Sequence, residues 1–333
     1  MTDLTHDALC IGNAIVDVFA AVEEDFLADQ AIVKGAMILI DEDRAAELYS
    51  AMGRGSMVSG GSAANTAVGI AVLGARSAYI GKVKDDTLGH IFAHDLRATG
   101  IHFDTPLAAS GPATACSYIL VTPDGQRTMN TYLGACQNLT VADVDERLVE
   151  AARVTYLEGY LWDPPAAKEA FRKASGIAHA SGRQVALSLS DSFCVDRYRA
   201  EFLHLIRSGL VDIVFSNESE LHALYQTADF ETALKALKDD AKLGFVTRGE
   251  AGALVVDRTG TEAVQAFPIE RLVDSTGAGD LFAAGVLAGL ARGFDGAAAA
   301  RLGALAAAEV IGHVGARPMA DLAALAAESG VVP

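Results

Sequence analysis

Val273-Asp274-Ser275-Thr276-Gly277-Ala278-Gly279-Asp280 runs directly into Leu281-Phe282-Ala283-Ala284-Gly285-Val286-Leu287. A turn of small residues opens into an apolar, helix-forming run, with one carboxylate in the first helical turn. The first N–H groups of a helix lack partners within it and point outward, which suits an incoming anion. A carboxylate beside that anion is a potential general base. An anion cradle and a base in one short segment point to phosphoryl transfer onto a hydroxyl. The same residues also fit a plain tight turn at Gly277 and Gly279, with Asp280 helping to cap a helix.

Two further segments carry groups suited to a polyol. Ser59-Gly60-Gly61-Ser62-Ala63-Ala64-Asn65-Thr66-Ala67 leads into a helix expected over Ala63–Leu73. Gly60 and Gly61 let a ligand approach the backbone, and Asn65 offers both a donor and an acceptor. A helix capped by Ser62, with Asn65 on its surface, is the alternative. Gly12-Asn13-Ala14-Ile15-Val16-Asp17 puts an amide and a carboxylate just after the first strand. In an open α/β sheet that is the ligand edge. A carboxylate there can accept two vicinal hydroxyls, as a ribose or another sugar presents them.

Familiar phosphate motifs are missing. Gly81-Lys82 is followed by Val83, so there is no Walker-type loop, and Gly53-Arg54-Gly55 lacks the third glycine of a dinucleotide fingerprint. The turn before Asp280 is therefore the candidate phosphate holder.

The elements that must position these groups mostly alternate. Strands are expected at Ala8–Ile11, Ala78–Lys82, Val154–Glu158, Val185–Leu189, Ile213–Phe215 and Leu243–Thr247. Helical patterns cover Ala63–Leu73, Leu88–Thr99, Ala166–Ala180 and Glu201–Ser208, and Ala-rich ones Leu281–Ala291, Ala297–Ile311 and Ala320–Ala327. Such alternation predicts an α/β fold with a mostly parallel central sheet and helices on both faces. Ile15–Val22 with Ala36–Ile40, and Ala113–Val121 with Arg127–Leu133, read as strands with no helix between them. Pro123-Asp124-Gly125-Gln126 marks a turn between the last two. These strands, from about 13–22, 36–41 and 113–133, predict a small β-sheet lid over one edge, able to exclude water from a transfer site. An ordinary β extension of the core fits the same pattern.

The 333 residues suffice for one large α/β domain, expected over 1–333. Lys and Arg number 26 against 43 Asp and Glu, a net charge of −17 that repels nucleic-acid phosphates. A bound nucleoside triphosphate would need local neutralisation by backbone amides, a divalent cation and a few basic residues. No apolar run reaches membrane-spanning length. The acidic start Met1-Thr2-Asp3-Leu4-Thr5-His6-Asp7 lacks the basic beginning of an export signal, so a cytoplasmic location is expected. Cys10, Cys116, Cys136 and Cys194 form no C-x-x-C pair, which argues against structural zinc or a disulfide framework. His90 and His94 have ligand spacing but no metalloprotease Glu, and read as a solvated helix face.

Together these segments resemble the ribokinase-like, or PfkB, carbohydrate and nucleoside kinase family. Gly60-Gly61-x-x-x-Asn65 matches its N-terminal signature, and Asp274-Ser275-Thr276-Gly277-Ala278-Gly279-Asp280 its C-terminal one, departing only in Ser275 where Thr is usual. The resemblance implies the ribokinase-like three-layer fold, with ATP and Mg2+ as co-reactants. Asp280 becomes the base, and the amides of Gly277, Ala278 and Gly279 the anion hole. Asn217-Glu218-Ser219-Glu220 matches an N-x-x-E element, in which Glu220 organises magnesium through water and Asn217 lies at the nucleotide. Thr247-Arg248-Gly249 with Gly252 resembles the nucleotide-side loop. Asp274 and Thr276 overlap the place where many relatives hold a monovalent cation such as K+.

Within the family the likeness is to its adenosine kinase branch, through Gly12-Asn13-x-x-x-Asp17, Asp25-Phe26-Leu27 and Ala36-Met37-Ile38-Leu39. That branch implies a grip on the ribose hydroxyls by Asp17, Gly61 and Asn65, with Asn13 and Gly60 also expected at the substrate. It sets Arg127 facing the phosphates, where an exposed turn-flanking Arg is the alternative. Tyr160 and Phe193 could stack on a purine, although aromatics in apolar stretches usually fill a core. The expected activity is ATP-dependent phosphorylation of the 5′-hydroxyl of adenosine or a related nucleoside. A sugar kinase acting on ribose, fructose or a keto-deoxy sugar is the alternative, and a non-catalytic nucleoside- or sugar-binding regulator a remote one. An NAD-dependent dehydrogenase lacks its glycine fingerprint here. Small-molecule partners are expected, with no nucleic acid and no membrane, in a monomer or homodimer.

Overall fold

The first strand, β1 (His6–Ile11), turns Ala8 and Cys10 into one buried cluster and Leu9 and Ile11 into another. A strand covered on both faces needs that alternation. The computed structural model describes residues 3–331, so the expected domain 1–333 extends past the described residues at both ends.

Along the chain follow β2 (Ile15–Ala21), β3 (Met37–Leu39), β4 (Gly55–Gly60), β5 (Ser77–Ile80), β6 (Ala115–Val121), β7 (Arg127–Tyr132) and β8 (Ala152–Glu158). Then come β9 (Gln184–Ser188), β10 (Ile213–Asn217), β11 (Leu243–Thr247), β12 (Ala253–Asp257) and β13 (Thr261–Val264). The helices are α1 (Glu24–Asp29), α2 (Glu42–Ala51), α3 (Ser62–Val72), α4 (Thr87–Ala98), α5 (Glu146–Ala151) and α6 (Pro165–Ala180). They continue with α7 (Ser192–Arg207), α8 (Glu218–Tyr225), α9 (Phe230–Asp240), α10 (Ala278–Ala291), α11 (Gly296–Val310) and α12 (Leu322–Glu328).

The larger sheet has the order β13-β12-β11-β10-β9-β8-β1-β5. Its strands from β11 to β5 run parallel, and β12 and β13 add an antiparallel edge. Helices α3, α4, α10, α11 and α12 bury their apolar sides against one face, α5 to α9 against the other. The expected parallel sheet with helices on both faces is therefore present. The chain leaves β1 for β5 on one side and later returns to β8 on the other, which opens a crevice at the carboxyl ends of β1 and β8.

Helix α10 is buried along most of its length between α3, α11 and the sheet. A Cβ on Gly285 would come 2.5 Å from Gly303 Cα, so α10 and α11 cross backbone to backbone. A helix so enclosed is a rigid platform for its first turn.

A second sheet has the order β3-β7-β6-β2-β4. Its register sets Val58, Asp17, Ser117, Thr131 and Leu39 in one row across five strands. Alternation then gives Asp17 and Arg127 the same face. The expected lid strands correspond to β2, β3, β6 and β7, with two corrections. A short helix, α1, lies between β2 and β3, where none was expected. The glycine- and serine-rich stretch before α3 is itself a strand, β4, because pairing with β2 overrides its poor strand propensity. Another difference concerns α7, which begins at Ser192 rather than Glu201, since Asp191 caps it by accepting from Cys194 N at 2.6 Å. Among the described residues no helix is long and apolar enough to cross a membrane.

Candidate active site

Asp280 is the third residue of α10, and its carboxylate is held from two sides. Oδ1 accepts from Ser62 Oγ at 2.6 Å and Oδ2 from Asn65 Nδ2 at 2.9 Å. Thr66 Oγ1 donates to the Asp280 carbonyl at 3.2 Å. All three donors lie at the start of α3, so two helix N-termini meet at one carboxylate. The side chain is thus spent on its neighbours and does not cap its own helix. Burial raises its pKa, and the hydrogen bonds from Ser62 and Asn65 together with the charge of Arg317 oppose the rise.

The turn before it divides into distinct positions. Gly277 adopts φ +82°, and a Cβ there would meet Ala316 Cα at 2.7 Å. Gly279 is exposed, with no atom within 4 Å of where its Cβ would project. Of the three amides expected to form an anion hole, that of Ala278 donates back to Ser275 O at 3.2 Å. Its N–H closes the turn, so the structure departs from the expectation there.

The entry to α3 is equally constrained. Gly61 is the N-cap residue at φ +95°, and a side chain there would run into the Asn13 carbonyl. The cap is therefore Gly61 and not Ser62. Asn65 is buried, not on a surface, and its Oδ1 has no partner. A buried acceptor left open beside Asp280 is a ready contact for a hydroxyl. Asp17 lies directly against Gly60, and burial pushes its pKa to about 7, with Arg317 and Arg127 pulling down and Asp280 pushing up.

Glu158 was not anticipated. It ends β8, is 1% exposed, and accepts from Asn13 Nδ2 at 2.7 Å, Ala63 N at 2.8 Å and Asn13 N at 3.3 Å. It ties the β1–β2 turn to the start of α3. Burial pushes its pKa to about 7 against those hydrogen bonds. Its strand, β8, also carries Arg153 and Thr155, so a further polar residue at its end gave no signal. Arg317 was also missed, because its contacts are all remote in sequence.

Arg127 is not a solvated turn residue. Its Nη1 forms an ion pair with Asp274 Oδ2 at 2.5 Å and donates to Thr276 Oγ1 at 3.1 Å, while Nε and Nη2 are buried without hydrogen-bond partners. Asp274 also accepts from Thr276 N at 3.1 Å, Thr276 Oγ1 at 2.8 Å and Gly315 N at 2.9 Å. The two side chains expected near a monovalent cation are thus engaged by a guanidinium.

On the other side, Asn217 and Thr247 are register partners at the ends of β10 and β11. Asn217 and Glu220 form a capping box: Glu220 N donates to Asn217 Oδ1 at 2.9 Å, and Glu220 accepts from Asn217 N and Nδ2 at 3.1 and 2.6 Å. Burial pushes the Glu220 pKa to about 7. Arg248 packs over Phe230 at 4.3 Å and donates to Glu218 at 3.2 Å. Gly249 and Gly252 shape the following turn at φ +56° and +84°.

Tyr160 and Phe193 are 41% and 79% exposed, so neither fills a core. Tyr160 OH donates to the carbonyl of Ser190, a residue in the left-handed region at φ +72°. Tyr160 lies within electrostatic reach of Asp191, Asp280, Glu220 and Glu158, so the carboxyl ends of β8, β9 and β10 converge with the head of α10. A cavity of about 820 Å³ opens beside Asp17 and Asn65, walled by Phe19, Val58, Val314 and Arg317 among others.

Among the described residues no group of three or more His, Cys, Asp or Glu could cage a metal ion. His90 and His94 are exposed, and His90 faces Asp85 at 2.9 Å. Magnesium usually keeps several waters and leans on substrate phosphates, so a water-mediated place near Glu220 fits this donor set.

A family model described as pfkB family carbohydrate kinase matches residues 6–322. The structure of adenosine kinase from Sinorhizobium meliloti is 55% identical, with a TM-score of 0.90, covering 97% of this chain and 99% of that one. That of a probable sugar kinase protein from Rhizobium etli CFN 42 is 51% identical, with a TM-score of 0.91 and full coverage of both, 100% each. Adenosine kinase from Saccharomyces cerevisiae is 28% identical over 94% of this chain and 96% of its own length. A probable chloroplastic fructokinase-6 from Arabidopsis thaliana is 29% identical over 70% of this chain, but only 62% of that protein is covered.

Proposed function

The chain belongs to the pfkB family of carbohydrate kinases, and we propose that within it the protein transfers the γ-phosphoryl group of ATP to the 5′-hydroxyl of adenosine or a related nucleoside. Kinases of this family use ATP with Mg2+. The observation that carries the reading is the Asp280 carboxylate, held by Ser62 and Asn65 at the head of a buried helix beside an exposed glycine turn.

In this reading Asp17 and the free Asn65 Oδ1 accept from ribose hydroxyls, with Asn13, Gly60 and Gly61 shaping the floor. Tyr160 and Phe193 offer exposed rings to a base. Asp280 takes the proton of the acceptor hydroxyl as its oxygen bonds to the γ-phosphorus and the bond to the β–γ bridging oxygen breaks, releasing ADP. The N–H groups of Gly277 and Gly279 and the unpaired nitrogens of Arg127 receive the charge on the moving group. Asn217, Thr247, Arg248, Gly249 and Gly252 line the nucleotide side, with Glu220 directing water toward the phosphates. Magnesium would screen the phosphate charge there.

The nucleoside preference is supported by 55% identity to an adenosine kinase and by full-length similarity to another. A sugar acceptor is the second reading, favoured by 51% identity to a probable sugar kinase. ADP release from ATP and Mg2+ with adenosine, inosine, ribose, fructose and 2-keto-3-deoxygluconate distinguishes them. Adenosine should give the highest kcat/KM; a free sugar surpassing it would reverse the assignment.

A further inference from the structure

Three consecutive residues between α11 and α12 brace the site from behind. Gly315 N donates to Asp274 at 2.9 Å, and Ala316 occupies the space a Gly277 side chain would need. Arg317 then reaches across to β4 and α3. Its Nε and Nη2 donate to Ser59 O at 3.1 and 2.5 Å, Nη2 also to Ser59 Oγ at 3.1 Å, and Nη1 to Ala64 O at 3.0 Å. Those two carbonyls flank Gly60-Gly61-Ser62, the turn that lies against Asp17 and presents Ser62 to Asp280. A planar fork with fixed donors can clamp two carbonyls at once, which a lysine cannot.

The charge of this guanidinium is equally well placed. Burial lowers the Arg317 pKa to about 10, so it stays protonated at neutral pH, and Asp17, Asp280 and Asp95 all act on it. Asp17 also faces Arg127, while Asp280 also faces Ser62, Asn65, Glu158 and Tyr160. Without a cation between them, two carboxylates gathered around one neutral acceptor would disfavour each other's charge.

We propose that Arg317 is a positioning residue for the transfer: it clamps the Ser59–Ala64 turn and supplies positive charge that lets Asp17 and Asp280 face one acceptor together. The inference rests on the phosphoryl-transfer reading above, so its test includes a readout independent of turnover.

Full-length Arg317→Met and Arg317→Lys are compared with the parent by steady-state kinetics, pH–rate profiles and amide hydrogen exchange. In Arg317→Met, kcat/KM for the acceptor should fall roughly 10²-fold while KM for ATP holds. The acid limb of its kcat/KM profile should move about 1 pH unit higher, and exchange across 59–65 should quicken. Arg317→Lys should keep the parental acid limb yet show the faster exchange. Parental exchange and an unmoved acid limb in Arg317→Met overturn the proposal, as does a lowered melting temperature with parental kcat in the folded fraction. If Arg317→Met does not fold, Arg317→Lys decides alone: faster exchange with a parental limb supports the clamp, and unchanged exchange refutes it. A parent that phosphorylates none of the acceptors would defeat the functional reading, while exchange across 59–65 would still decide the clamp.

Discussion

Arg127 Nη1 forms an ion pair with Asp274 Oδ2 at 2.5 Å, joining the second sheet to the turn that leads into α10. The same guanidinium leaves Nε and Nη2 buried and unpaired, an arrangement that costs stability unless an anion completes it. Arg127→Gln should therefore lower kcat/KM for ATP by roughly 10- to 10²-fold, the scale of one charged hydrogen-bond donor. Wild-type activity should stay flat as potassium replaces sodium, because Arg127 already serves Asp274 and Thr276. A several-fold rise with potassium would mean that the arginine leaves its partners during turnover.

Stability should depend on pH in an unusual direction. Asp17, Glu158 and Glu220 each have a pKa pushed to about 7, chiefly by burial. Between about pH 4 and 7 the folded chain holds protons that the unfolded chain has released, so stability falls as pH rises through that window. Carboxylates with lowered values, such as Asp7, Asp163 and Asp212, titrate below it and do not compensate. Urea midpoints measured from pH 5 to 8 should decline, and less steeply in Glu158→Gln. A midpoint that climbs over this range would contradict the burial argument.

Two glycines three residues from Asp280 or nearer should behave in opposite ways. Gly279 lies in open space on the first turn of α10, so Gly279→Ala should leave the unfolding free energy level or raise it by up to about 1 kcal/mol. Its methyl would enter the path of the transferred group, and kcat/KM should drop by roughly 10²-fold or more. Gly277→Ala should instead destabilise by about 1–3 kcal/mol, from its positive φ and its contact with Ala316. Full activity in Gly279→Ala would move the phosphoryl group away from this turn.

What could be read from sequence was local. The turn at 274–280 and the strands of the parallel sheet declare themselves in contiguous residues, small before apolar or apolar throughout. Strand β4 did not, because serine and glycine carry no strand signal and Gly55–Gly60 is ordered by its partner β2. Glu158 and Arg317 were silent for a related reason. The carboxylate finds its donors at Asn13 and Ala63, and the guanidinium its acceptors at Ser59 and Ala64, all supplied by the folded chain. Asn65 could be named as a hydroxyl contact, but its grip on Asp280 required the crossing of α3 and α10.

The central claim is that Asp280 accepts the proton of the acceptor hydroxyl. Single-turnover phosphorylation by Asp280→Asn, with ATP and acceptor saturating and the fold checked by circular dichroism, measures this most directly. A rate lowered by roughly 10²–10⁴-fold with the fold intact is the predicted result; a rate near that of the parent would contradict it.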